Sequence, residues 1–234
     1  MRSPAVPPSP SAASPAPPTP PGALTPARVG AALGVASVVL LALVAAKWGP
    51  LFSLDRTISV DLHRQAVADP GLTHANRILT DWVWDPWTMR LLTAVAFVVL
   101  WFRGSRLLAC WVALTSLVGA LISQGVKAAV GRPRPSWPDP VDSAHYAAFP
   151  SGHAMITTVT VGLLLWLLRR HGPSGRLWRV ALVVGVVSVI GSGFNRVWLG
   201  VHWSSDVVGG WLFGACLVAL SVATYEGRAL SRWR

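Results

Sequence analysis

A chain of 234 residues that is 53% hydrophobic and only 12% charged does not have the composition of a soluble domain, in which about a quarter of the residues are charged. A formal charge of +11 would point to nucleic acid on a water-soluble protein. Here a membrane topology and an anionic substrate account for it, and no nucleic-acid partner is expected. Cys110 and Cys216 lie far apart inside apolar runs and read as small buried hydrophobes, not as a disulfide framework.

In chain order, residues 1–26 are almost wholly Pro, Ala, Ser and Thr, too poor in apolar surface to offset chain entropy, and are expected to form a disordered tail. Six membrane spans are predicted over 29–46, 87–102, 107–126, 154–168, 180–194 and 207–224, a bilayer requiring roughly 20 apolar residues. The second is interrupted by Arg90, which is expected to snorkel to the interface beside Trp82, Trp84 and Trp87. Residues 47–86 read as one long polar loop with a helical stretch near Leu62. The membrane domain is therefore 27–226, followed by a basic tail over 227–234.

Six spans divide the charges between two sides. The side holding both termini carries eleven of the twenty Lys and Arg residues and one acid, Glu226; the other carries nine Lys and Arg and all eight Asp. An excess of +10 against +1 places both termini in the cytoplasm and the loops at 47–86, 127–153 and 195–206 outside.

Three polar clusters interrupt the apolar text, all at helix ends on that outer side. Lys127, Arg132 and Arg134 put three cations within eight residues, which suits a phosphate-bearing substrate; taken alone, the cluster somewhat favours a basic patch meeting lipid head groups. Pro150-Ser151-Gly152-His153 immediately precedes the fourth span. Ser151 is a natural N-cap, while the Ser-Gly backbone also offers N–H groups to an anion and His153 a proton near neutral pH. In the third cluster, Arg196 is followed by His202 and Asp206. Their spacing of four lets the carboxylate hold one imidazole nitrogen and leave the other free as a nucleophile.

Lys127, six residues, Arg134-Pro135; then Pro150-Ser151-Gly152-His153; then Arg196, five residues, His202, three residues, Asp206: this order resembles the three-part signature of the type 2 phosphatidic acid phosphatase superfamily. The residue before Arg196 departs from it, being Asn195 where the family commonly has Ser. The resemblance implies an all-α fold, a six-transmembrane-helix bundle with its active site at the extracytoplasmic end. It implies a cell-membrane lipid phosphatase acting on phosphatidate, phosphatidylglycerol phosphate or a polyprenyl diphosphate. His202 would attack phosphorus, Asp206 orient it and His153 protonate the leaving group; Lys127, Arg134, Ser151, Gly152 and Arg196 would hold the phosphoryl oxygens, with Arg132 as a secondary phosphate or head-group contact. No metal or other cofactor is implied, and the oligomeric state is not specified. Phosphotransfer to an acceptor other than water and non-enzymatic phospholipid binding are the alternatives.

Overall fold

The computed structural model describes residues 25–231; the tail up to residue 24 and the last three residues of the basic C-terminal tail lie outside the described residues. These form helices α1 (Pro26–Ala45), α2 (Gly49–Ala68), α3 (Pro70–Ile78), a π-helical turn (Leu79–Val83), α4 (Pro86–Phe102), α5 (Arg106–Val130), α6 (Gly152–Arg170), α7 (Gly175–Trp198) and α8 (Ser204–Ser231). Several starts share one local logic. Thr25, Asp69 and Asp85 each precede a proline and accept a hydrogen bond from a first-turn N–H, so the missing proline donor costs nothing and the cap satisfies a free one. At the other end of α5, Gly131 takes a left-handed φ of 59°, which turns the chain sharply after Lys127.

Among the described residues, six helical runs are long and apolar enough to cross a membrane: 26–45, 70–102, 106–130, 152–170, 175–198 and 204–228. The second is the union of α3, the π turn and α4, and so begins well before the predicted 87–102. The polar region 47–86 is not a loop. Its first half forms α2, whose apolar residues are too few for a span, but Asp55, Ser59, His63 and Ala66 all fall on one buried face of that helix, so its periodicity is carried by polar side chains.

The helix α6 is the axis of the bundle: 50% of its apolar stretch is buried, against 17% for α1 and for α7. It packs on α4, α5, α7 and α8, and α1 lies along the far side of α8. Small residues set the closest approach. A side chain on Gly210 would meet the Ser151 carbonyl at 2.7 Å and the Met155 nitrogen at 3.0 Å, and one on Gly214 the Met155 carbonyl at 3.0 Å, so a small-xxx-small pair brings the α6 and α8 backbones together. At the opposite end the core is apolar, with Leu100, Ala109, Val112, Leu163 and Trp166 buried.

Two local expectations are corrected. Trp84 is buried, its ring seated where a side chain on Gly191 would be, whereas Trp82 and Trp87 remain exposed. Cys110 is also exposed, because its face of α5 looks away from the bundle.

Gly210→Ala is expected to destabilise the protein by roughly 1–3 kcal/mol, since the added methyl meets backbone that cannot step aside. Gly227→Ala, with nothing within 4 Å, should leave the thermal midpoint in detergent unchanged or slightly raised. Equal midpoints for both variants would refute the close α6–α8 contact.

Candidate active site

The three sequence clusters converge at the end of the bundle where α6 and α8 begin and α5 and α7 finish. Ser151 caps α6 and donates its N–H to the Asp206 carbonyl at 2.9 Å, which ties the second cluster to the third. Lys127, at the last turn of α5, is buried and donates to the carbonyls of Ala147 and Ala148 at 2.7 and 3.4 Å; its Cε lies 4.0 Å from where a side chain on Gly152 would begin. The guanidinium of Arg134 donates to the carbonyls of Tyr146 at 2.8 Å and Val201 at 2.6 Å, and its Nη1 lies 3.0 Å from His202 Nε2.

That last contact fixes the state of the imidazole. A guanidinium has donors only, so Nε2 must present its lone pair to Arg134. Nδ1 then carries the hydrogen and donates it to Asp206 Oδ2 at 3.3 Å. His202 is 2% exposed. Burial above all, and then the positive charges of Arg134, Arg196 and Lys127, hold its pKa well below the ordinary histidine value, so the lone pair persists at neutral pH. The contact between His202 and Asp206 is made across the bend that precedes α8, where Trp203 N–H also donates to Asp206 Oδ2 at 2.9 Å, not along a helical face.

Arg196 ends α7 and is buried, its Nη1 donating to Thr80 Oγ1 at 3.2 Å and lying 3.7 Å from Asp142 Oδ2. Asn195 is not turned to the same use: its amide donates to the Asn76 carbonyl at 3.1 Å and fastens α7 to α3. His153 stands in the first turn of α6 and, with Gly152, lines a cavity of about 120 Å³ between α4, α5 and α6.

Arg132 does not join the other cations. Its Nη2 donates to Asp55 Oδ2 at 2.7 Å and its Nη1 to Asp206 Oδ1 at 2.6 Å and Ser205 Oγ at 2.7 Å, with the guanidinium 4.5 Å from the Phe52 ring centre. Both nitrogens are engaged behind the His202–Asp206 pair, in place of the phosphate or head-group contact expected from its neighbour Arg134. Asp55 was not singled out in the sequence. It accepts from Ser204 Oγ at 2.6 Å and Ser205 N–H at 2.8 Å, and from Ser205 Oγ, and so caps α8. The polar spacing of Asp55, Ser59 and His63 along α2 was the signal available for it.

Comparison with known proteins adds three findings. The model of the PAP2 superfamily matches residues 108–229. An undecaprenyl-diphosphatase of Sulfolobus acidocaldarius is 28% identical over 151 residues, 61% of this chain and 63% of that protein, and phosphatidylglycerophosphatase B of Bacillus subtilis is 33% identical over 102 residues, 43% and 49% respectively. The chain thus spans between about half and just under two thirds of these relatives. The crystal structure of a transmembrane PAP2 type phosphatidylglycerolphosphate phosphatase from Bacillus subtilis superimposes with a TM-score of 0.75 at 23% identity, over 85% of this chain and 96% of that one, which establishes a common fold.

Replacing Arg132 by Leu would leave Asp55 and Asp206 buried without their shared cation, and breaking a buried pair from one side costs about 3–5 kcal/mol. Chemical or thermal denaturation of Arg132→Leu in detergent should show a loss of that order. A midpoint equal to wild type would mean the three groups are not coupled.

Proposed function

The chain belongs to the PAP2 superfamily, and we propose that it is a membrane phosphatase that releases the terminal phosphate of a lipid through a phosphohistidine intermediate. The substrate class is phosphatidate, phosphatidylglycerol phosphate or a polyprenyl diphosphate. One observation carries the reading: a buried neutral imidazole, held at Nδ1 by Asp206, directs its Nε2 lone pair at a cation, Arg134, at a place where Lys127 and Arg196 also act on it electrostatically.

In the proposed first step the Nε2 lone pair forms a bond to phosphorus and the bond from phosphorus to the leaving oxygen breaks. The electron pair departs on that oxygen, which takes a proton from His153. Asp206 stabilises the positive charge that develops on the ring. In the second step water attacks phosphorus, His153 takes the water proton, and the N–P bond returns its pair to Nε2. Phosphoryl transfer asks mainly for positioning and for stabilisation of charge on three equatorial oxygens. Lys127, Arg134, Arg196, the Ser151 hydroxyl and the Gly152 N–H are assigned that role, and the proposed chemistry uses no metal ion. Among the described residues no three His, Cys, Asp or Glu side chains gather as a metal site.

The leaving group separates the two histidines. His202→Ala is expected to abolish phosphate release from every substrate. His153→Ala should cost on the order of 10² to 10⁴ on phosphatidate, whose alkoxide needs a proton, and far less in single-turnover phosphorylation by an aryl phosphate, whose phenolate does not. Equal losses on both would remove His153 as the acid, and surviving single-turnover chemistry in His202→Ala would remove the covalent route.

The proposed orientation, with the site on the extracytoplasmic face of the cell membrane, rests on the charge division of the loops. In a variant with Cys110 and Cys216 replaced, a cysteine at the exposed Tyr146 should react with a membrane-impermeant maleimide added to intact cells, and one at Arg176 only after permeabilisation. The reverse pattern would invert the topology.

A further inference from the structure

Arg90 lies in the second turn of α4 with its guanidinium 4.8 Å from the Trp87 ring centre. Among the described residues it has no acidic partner at ion-pair distance. A cation within a membrane-spanning run costs up to about 2.5–3.5 kcal/mol, depending on depth, and marks a functional position by default. Its surroundings are specific. The cavity that contains His153 is also walled by Arg90, Ser116, Ser123 and Gln124, and Ser123 Oγ is buried with no hydrogen-bond partner. From Arg90, Ser116 and Ile156 a second recess of about 400 Å³ continues between α4 and α5, past Thr93, Phe97 and Leu117.

Two ends of the substrate can therefore be told apart. On the proposed mechanism, on which this inference rests, the transferred phosphoryl group sits among Lys127, Arg134 and Arg196, while the leaving oxygen departs toward His153. Whatever shares a cavity with His153 meets the leaving group. Diacylglycerol, the leaving group of phosphatidate, is uncharged and would be served by apolar walls alone. The walls here instead offer a guanidinium, an amide and an unpartnered hydroxyl, with an apolar recess beyond them of the kind that lipid tails fill.

We propose that Arg90, with Gln124 and Ser123 from the facing helix α5, binds a second phosphate that stays on the departing lipid. The preferred substrate is then a lipid diphosphate, or a lipid monophosphate whose head group retains a phosphodiester. For a diphosphate, the N–P bond forms at the terminal phosphorus and the bond from that phosphorus to the bridging oxygen breaks. The pair remains on the bridging oxygen, which takes the His153 proton or leaves as the anion. The lipid monophosphate so released carries its charge against the guanidinium, which offers paired donors to phosphate oxygens.

The test compares kcat/KM for farnesyl diphosphate, phosphatidylglycerol phosphate and phosphatidate in wild type, Arg90→Gln and Arg90→Lys. In Arg90→Gln the preference for at least one of the first two over phosphatidate should fall at least tenfold, and Arg90→Lys should keep more of it than Arg90→Gln does. Loss confined to the diphosphate assigns the site to a directly bridged phosphate; loss confined to phosphatidylglycerol phosphate assigns it to the head-group phosphodiester. Arg90→Leu removes the same charge should Arg90→Gln not accumulate. Unchanged ratios for both lipids in a folded, neutral variant would overturn the proposal. Wild-type protein that releases phosphate from none of the three lipids would instead remove the phosphatase reading itself.

Discussion

A guanidinium stripped of water and set between two carboxylates organises the site end of this bundle. Burying three charges costs several kcal/mol each unless the remaining lone pairs and donors are satisfied, and here most of them are. Asp55 takes hydrogen bonds from the first turn of α8 as well as from Arg132, and Asp206 takes them from Trp203 and His202. A rotation of α2, of the 131–134 segment or of the α8 start would break charge-assisted bonds in the dry interior. The Ser151 N–H on the Asp206 carbonyl extends the same lock to α6. The position of the imidazole is thus a property of four chain segments that are distant in sequence.

The other cations are held differently, and the difference has electrostatic content. Lys127 and Arg134 rest mainly on backbone carbonyls, which orient a charge without neutralising it. Arg132 faces two carboxylates and contributes little net potential. Positive field is therefore concentrated where Lys127, Arg134 and Arg196 surround His202 and is absent behind it, an arrangement that favours a dianion on one side of the ring only.

What could be read from the sequence follows from the range of the interactions. The six spans were legible because hydropathy needs only a window of neighbours, and the three motifs because their spacing is local. Asp55 was hidden: its partners Arg132 and Ser205 lie 77 and 150 residues away, and a buried acid on an otherwise polar helix looks like a solvated one. The same blindness made α2 read as loop. The spacing from Lys127 picked Arg134 out of the adjoining pair, but nothing local showed that Arg132, two residues earlier in an extended segment, turns onto Asp55 and Asp206 instead of a phosphate. Trp84 belonged by its neighbours to an interfacial belt, and only the absence of a side chain at Gly191, more than a hundred residues on, allows it inside.

The contact from Arg134 to Nε2 bears on what the protein does when no substrate is present. A basic nitrogen in a field of cations is a target for adventitious electrophiles and transition-metal ions, and both require the lone pair that the guanidinium already occupies. A phosphate oxygen is a stronger acceptor than an uncharged imidazole, so on the proposed mechanism an arriving phosphoryl group would compete for Arg134 and draw it off the ring. On the proposed phosphohistidine route, the anion to be attacked would thereby uncap its own attacker. Reactivity in the resting protein is stored in a covered form, and the cover yields to negative charge, which electrophiles and metal cations lack.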